Sequence, residues 1–375
     1  PVELPTSNVY TGSGPIEGIA FTQATVTTDG TVWGTGPFSG SAFLIRGRDQ
    51  ASSSFTFLPM LPTAIDALDA MVGAIGGTPG GSTSVLSSNN GGASWTTAPV
   101  FAYASSVNAI KLYDASNGIF IGNGASGKFA VGKTTNAGAT WTQLSGAPTM
   151  LSGEQVMPRS AFFFGDHAWF GTTNGRAARS TNRGVSWSVV NLSLAGGAVE
   201  SIAFRDSVNG VLLYRTGAAL DSPKRIASTT NGGSSWQKNV FDPSTLGITA
   251  TYVASPGGNH TLLVGANGEV LGSDNEGVAW QPILSQPAGN IVTGRGLVLQ
   301  GKSALLLAGS QVGVLSYHYS GPNASRILAF SETSIDFGTI EPGKTRQKSI
   351  KVTNSGDGDA SVDNVVIVPD AGTPI

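Results

Sequence analysis

The chain is expected to be all-β, built from one four-stranded antiparallel sheet repeated in tandem. Three observations lead there. First, an eight-residue frame, Ser/Thr-x-Asn-x-Gly-x-x-Trp, occurs at Ser88–Trp95, Thr134–Trp141, Ser180–Trp187, Thr229–Trp236 and Ser273–Trp280. Its tryptophans are 46, 46, 49 and 44 residues apart, a period that marks a repeat architecture. Second, the stretches between frames read as short strands with turn punctuation, not as helical periods. Third, 52 of 375 residues are Gly and only 12% are charged, a composition of turn-rich β-proteins.

Each frame reads as a hairpin staple. The Asn carbonyl oxygen (Asn90, Asn136, Asn182, Asn231, Asn275) accepts from backbone N–H groups just downstream. The Gly supplies positive φ. The leading hydroxyl closes the turn from the other side. The Trp (Trp95, Trp141, Trp187, Trp236, Trp280) opens the next strand and wedges under the hairpin, its N–H needing a partner.

These residues resemble the Asp-box, or bacterial neuraminidase, repeat of sialidase-like, photosystem assembly-factor and sortilin-type propellers. The resemblance spans residues 1 to about 320, with Asn at all five positions where Asp is commoner. Asn keeps the acceptor and loses the charge. The resemblance implies that the box lies between the third and fourth strands of a propeller blade, away from the working face, and that it is structural.

Taken in order, the units begin with residues 16–58, a blade with a degenerate box from Arg48-Asp49-Gln50 to Phe55. Blades two to six are 64–100, 106–145, 157–191, 199–242 and 248–284. Blade five shows the pattern best: Val199 to Phe204, Val211 to Tyr214, Arg225 to Ser228 and Trp236 to Phe241 are its four strands. Residues 291–319 hold only three strands, roughly Gly296 to Gln300, Ala304 to Leu307 and Val314 to Tyr319. Pro1 to Tyr10 is the spare strand expected to complete that blade and remove two open sheet edges. The count is then a seven-bladed β-propeller over residues 1–320. Asp29, Asp114, Asp166 and Asp206 precede second strands and read as turn formers.

After a linker at 321–326, residues 327–375 change texture. Asp336-Phe337-Gly338, Gly343-Lys344-Thr345 and Thr353-Asn354-Ser355-Gly356 resemble an immunoglobulin-like module of the abnormal-spindle/hydin or choice-of-anchor D type. Such a sandwich needs roughly 100 residues. The module is therefore expected to be partial here, either cut short or completed by another chain.

Composition bounds the function. A net charge of −2 offers no field for nucleic acid or an anionic membrane. With no Cys, neither disulfides nor Cys-ligated metals arise. No run approaches the ~18 apolar residues of a membrane helix, and no basic, then apolar, leader opens the chain. Three glycosylation sequons, at Asn191, Asn259 and Asn323, are near chance in such a chain. His167, His260 and His318 fall in separate blades, so no metal triad and no cofactor is expected.

The acidic candidates are Glu17, Asp66 and Glu200, with Asn108 placed alike. Each enters the first strand of its blade, and together they are expected to ring one mouth of the central channel. Glycoside hydrolysis needs two carboxyls ~5–9.5 Å apart, which favours Glu17 with Asp66 over Glu17 with Glu200. Sialidases with this box clamp substrate with three arginines, the first in Arg-Ile-Pro, and that triplet is missing. Xyloglucanase-type enzymes pair two such propellers.

Binding is the better reading. Seven of twelve arginines lie between positions 159 and 225. Arg159, Arg176, Arg215, Asp221 and Arg225 are expected on the loop face opposite the boxes. Arg179, Arg183 and Arg205 lie in the same region, some of them on the box face. Arginine suits partner carboxylates; photosystem assembly-factor propellers use such a patch on a protein partner. The expected protein is a secreted, periplasmic or surface-exposed bacterial binder of a protein or glycan, with the tail linking it to an assembly or homo-oligomer. The alternative is a glycoside hydrolase.

Overall fold

The computed structural model describes residues 6–8, 23–27, 31–38, 41–47, 54–78, 81–257, 260–266, 269–273, 275, 277–284, 291–299, 302–309, 313–319, 328–330 and 352–354. The chain divides into two compact units, Pro1–Tyr319 and Ser320–Ile375. In the second, Leu328–Phe330 pairs antiparallel with Val352–Asn354. The other strands expected of an immunoglobulin-like module lie outside the described residues.

In the first unit, six antiparallel sheets each take four consecutive strands. Sheet one holds Gln23–Val26, Val32–Phe38, Ser41–Gly47 and Ser54–Leu58. Sheet two holds Pro62–Ala67, Gly73–Gly77, Ser84–Ser88 and Thr96–Pro99. Sheet three holds Ala109–Leu112, Gly118–Gly122, Ala130–Thr134 and Thr142–Gln143. Sheet four holds Phe162–Phe164, His167–Gly171, Arg176–Ser180 and Ser188–Asn191. Sheet five holds Val199–Phe204, Gly210–Arg215, Lys224–Thr229 and Gln237–Phe241. Sheet six holds Ala250–Gly257, His260–Gly265, Val270–Ser273 and Gln281–Leu284. A further four-stranded sheet joins Ile291–Leu299, Lys302–Gly309 and Gly313–Tyr319 to the N-terminal Thr6–Asn8. Thr6 stands opposite Tyr317 and Asn8 opposite Leu315.

Second strands read as unbroken apolar runs, such as Ile119-Phe120-Ile121 and Val211-Leu212-Leu213-Tyr214, because both their faces are covered. The cover is the neighbouring sheet. Trp33, Leu44, Ile65 and Leu86 pack between sheets one and two. Val85, Ile110, Phe120 and Trp141 do so between two and three, and Ile121, Phe129, Phe170 and Trp187 between three and four. Trp169, Phe204, Leu212 and Tyr214 fill the next joint; Leu213, Ile226, Leu263 and Trp280 fill the one after. The box tryptophans thus belong to the joints between sheets.

Every box sits between a third and a fourth strand. In sheet two, Ser88 Oγ accepts from the N–H groups of Asn90 and Gly92 at 3.3 and 2.8 Å and donates to Asn90 Oδ1 at 3.0 Å. Asn90 Oδ1 also accepts from the Ser94 N–H at 2.9 Å. The same set recurs at Asn136, Asn182, Asn231 and Asn275. The loss of charge relative to Asp has a use. Each Asn Nδ2 donates to the hydroxyl four residues on, at Ser94, Thr140, Ser186 and Ser235. In the fifth box that place is Ala279, which has no hydroxyl, and its N–H donates to Asn275 Oδ1 at 2.8 Å. The Trp N–H groups divide. Trp187 and Trp280 donate to their own box carbonyls, at 3.0 and 2.8 Å, while Trp95, Trp141 and Trp236 are buried without a partner.

The box is tied to the turn between the first and second strands. The N–H groups of Gly91, Ala137, Arg183 and Gly232 donate to Met71, Ser116, Asp166 and Val208 carbonyls at 2.7–3.0 Å. Asp114 and Asp206 form those turns as expected, each accepting from the N–H groups two and three residues on. Asp69, not singled out in the sequence, does the same. Asp166 spends its carboxylate on Arg183 at 2.6 Å instead, and Asp29 lies outside the described residues. First-second turns and boxes therefore share one end of sheets two to five. Second-third turns and inter-sheet connections share the other.

Candidate functional site

The loop end of sheets four and five concentrates charge, and nearly all of it is paired. Arg176 opens the third strand of sheet four, and Glu154 comes from the connection ahead of that sheet. Arg176 Nε donates to Glu154 Oε1 at 2.8 Å, its Nη2 donates to the second carboxylate oxygen, and Nη2 also reaches the Thr149 carbonyl at 2.8 Å. The Leu151 N–H adds a bond to the carboxylate at 2.8 Å. Glu154 is fully buried. Burial alone pushes its carboxyl up; hydrogen bonds from Arg176, Leu151 and Thr172 outweigh it and hold the group below the usual carboxylate range.

One sheet on, Glu200 faces two cations. Lys224 Nζ lies 2.7 Å from one carboxylate oxygen and Arg215 Nη1 3.7 Å from the other. Arg215 is buried, its Nε donating to the Gly217 carbonyl at 3.0 Å. Arg225 Nη1 donates to Asp242 at 2.8 Å, and Asp242 also caps the short 3-10 helix Pro243–Leu246 through the Ser244 N–H. Glu154 and Asp242 were invisible as partners in the sequence: both sit in connections whose path depends on how consecutive sheets stack.

The remaining expected binding residues are exposed. Asp221 lies at the tip of the loop between Arg215 and Lys224, which Thr216 closes by donating to the Pro223 carbonyl at 2.9 Å. Beside it Leu220 is 82% exposed. Arg159 is exposed at φ 64° in the connection into sheet four. Arg179, Arg183 and Arg205 are all on the box end: Arg179 donates to Ser234 Oγ at 2.7 Å, Arg183 pairs Asp166 and lies 4.4 Å from the Tyr113 ring, and Arg205 pairs Asp206. The arginine cluster of the sequence is thus two groups on opposite ends.

The acids expected at one channel mouth separate as well. Glu200 sits at the loop end of its first strand, near Val199 opposite Tyr214. Asp66 stands opposite Ala74, at the box end of its own strand, and is buried. It accepts from the Leu112 N–H of sheet three at 2.8 Å and pairs Lys111 at 3.3 Å. The sequence alignment of Asp66 with Glu200 was three positions out, because the apolar pattern of the first strand does not fix its ends. Glu17 lies outside the described residues. His167 stacks on Trp169, with ring centroids 5.5 Å apart. Among the described residues no group of three His, Asp or Glu side chains converges as a metal site.

Tandem four-stranded antiparallel sheets, packed face to face through aromatic joints, define a β-propeller. Solved structures place the chain in that class. It is similar to YCF48 bound to a D1 peptide, at 16% identity and TM-score 0.60, over 85% of this chain and 96% of that one. It is similar to the GH74 xyloglucanase from Xanthomonas campestris, at 16% identity and TM-score 0.58, over 84% of this chain and 53% of the enzyme. BamB from Moraxella catarrhalis matches at 13% identity and TM-score 0.51, over 80% and 83% of the two chains. At these identities the likeness is one of fold. No protein-family model and no curated protein matches the chain.

Proposed function

We propose that the chain is a seven-bladed Asp-box propeller, closed by its N-terminal strand, that serves as a non-catalytic binding or scaffold protein on a bacterial surface or in a secreted assembly. The loop end of blades four and five meets a protein partner, and the immunoglobulin-like tail links to the assembly. The observation that carries this reading is the state of the loop-end acids. A glycoside hydrolase needs an acid with raised affinity for its proton near a second carboxylate. Glu154 is held low instead, and Glu200 and Asp242 face cations. Around these pairs stand apolar side chains that meet water: Leu220, Leu151 at 48% exposure, and Leu246. Apolar anchors beside charges already satisfied suit a protein partner, with Arg159 and Asp221 at the rim. The likeness to YCF48, solved with a bound peptide, supports the same reading.

A site-specific photo-crosslinker at position 220 in the native host tests it. A discrete protein adduct is expected, lost in Leu151→Glu but kept in the box-end control Val278→Glu. The alternative, a glycoside hydrolase using Glu17, Asp66 or Glu200, draws on the likeness to the GH74 enzyme. Polysaccharide hydrolysis by the purified chain that Glu200→Gln abolishes would replace the binding reading with that one.

A further inference from the structure

Asn-Gly occurs seven times in the chain, at Asn90, Asn117, Asn123, Asn174, Asn209, Asn231 and Asn267. The last lies outside the described residues. Such a pair carries its own chemistry. The Asn side-chain amide is an electrophile close to the next backbone nitrogen, and a following Gly has no Cβ to keep that nitrogen at a distance. Whether the two groups meet depends on how firmly the fold holds each of them.

Five of the six described pairs are held. Asn90 and Asn231 use both ends of the amide within their boxes, in bonds of 2.7–3.0 Å. The nitrogens that would attack them are also engaged: Gly91 and Gly232 donate to the Met71 and Val208 carbonyls at 2.8 and 2.7 Å. Asn117 and Asn209 donate from Nδ2 to the turn carboxylates of Asp114 and Asp206, at 2.9 and 2.8 Å. Asn123 Oδ1 accepts from the Val156 N–H at 2.7 Å.

Asn174 is the exception. It stands exposed in the turn between His167–Gly171 and Arg176–Ser180, at the loop end of sheet four. Its Oδ1 accepts from the Thr173 hydroxyl at 3.4 Å, a long bond, and its Nδ2 donates to no described residue. The Gly175 N–H also makes a long bond, to the Thr172 carbonyl at 3.3 Å.

We propose that Asn174 is a site of spontaneous deamidation in the folded protein. The Gly175 amide gives its proton to hydroxide, and its nitrogen forms a bond to Asn174 Cγ. The Cγ–Nδ2 bond breaks, and the side-chain nitrogen takes up a proton and leaves as ammonia. Water then opens the cyclic imide. Cleavage of one imide C–N bond leaves aspartate at position 174; cleavage of the other leaves isoaspartate, which lengthens the backbone of the turn. Either product adds a negative charge to the loop end, two residues from Arg176.

Peptide mass spectrometry tests the proposal. The full chain is kept folded in mildly alkaline buffer, sampled over time and cut with trypsin. The peptide Ser160–Arg176, in which Asn174 is the only side-chain amide, should gain the mass of an amide-to-acid exchange. Asp206–Arg215, with Asn209, and Ile226–Lys238, with Asn231, should gain it at least about tenfold more slowly, the factor set by one further hydrogen bond that must break first. In urea the three peptides should convert at similar rates, which assigns the difference to the fold. Equal rates in the folded chain, or faster conversion at Asn209 or Asn231, would overturn the proposal. So would a folded sample in which Ser160–Arg176 stays unchanged while the urea sample converts. The chemistry needs no partner, so these results stand apart from the crosslinking test of the loop end.

Discussion

Arg46 occupies the space that a Cβ on Gly91 would need. Its Nη1 lies 1.3 Å from the ideal Cβ position while it donates to the Ala70 carbonyl. The same holds for Arg179 and Gly232, at 2.8 Å. The boxes of sheets three and four, into which neither arginine reaches, carry Ala137 and Arg183 at this position, at φ 57° and 52°. The left-handed backbone alone therefore does not demand glycine; the arginine does. Gly91→Ala is expected to lower unfolding free energy by about 2 kcal/mol, the range of overpacking in a closed joint. Ala137→Gly should change it by less than ~1 kcal/mol. Arg46→Ala added to Gly91→Ala should recover part of the loss. Urea denaturation of the set checks all three, and full additivity would dismiss the coupling.

The amide of the box Asn adds a bond from Nδ2 to the hydroxyl four residues on. Asn182→Ala removes the acceptor for Ser180 and Ser186 together with that donor, and should cost about 1–2 kcal/mol. Asn182→Asp should cost less than ~1 kcal/mol, since Ser186 can turn its own proton toward the carboxylate. Thermal unfolding distinguishes the two. A loss with Asp as large as that with Ala would mean the amide donor, not the acceptor, holds the turn.

Glu154 gives the loop end a pH dependence. Its carboxyl is held below the ordinary value, so its contribution is complete above the unfolded-state pKa and fades as the pH falls through the lower folded-state value. Wild-type stability should therefore decline on acidification below about pH 4.5, and Glu154→Gln should flatten that part of the profile. At neutral pH the same substitution leaves Arg176 without its anion and should cost about 3 kcal/mol. Stability profiles of the two proteins that run parallel from pH 7 to pH 3 would refute the assignment.

Removal of residues 1–8 should leave the folded sheets recognisable by circular dichroism but open the edge of Gly313–Tyr319. An exposed edge strand pairs with other chains. The shortened chain is expected to form dimers or larger species in light scattering, with earlier thermal unfolding. A monomer of unchanged stability would mean the pairing of Thr6–Asn8 contributes nothing.

Much of the fold was legible because it rests on local chemistry. Asn90 and Gly92 announce a turn wherever they stand, and Ile119-Phe120-Ile121 announces a strand covered on both faces. Repetition then multiplies a modest signal. The candidate site was less legible because its partners come from different sheets. Nothing in the chain says that Arg176 meets Glu154 while Arg179, three residues on, crosses to the other end and into the next sheet's box. Opposite sides of one strand send them there. Asp66 and Glu200 looked alike for the same reason: a short apolar strand shows which face is buried but not where the strand starts. The Trp33–Arg46–Gly91 set could have been found beforehand. The two Asn-Gly-Gly boxes are the ones that follow a Trp-bearing second strand and an Arg-bearing third strand.

The pairing of Thr6–Asn8 with Gly313–Tyr319 also governs biosynthesis. A ribosome delivers the first partner some 300 residues before the second, an interval of roughly 15–60 s at 5–20 residues per second. Throughout that time the nascent sheets must stack in sequence with the leading segment unpaired. A strand made some 300 residues later is then the one that fastens Thr6–Asn8.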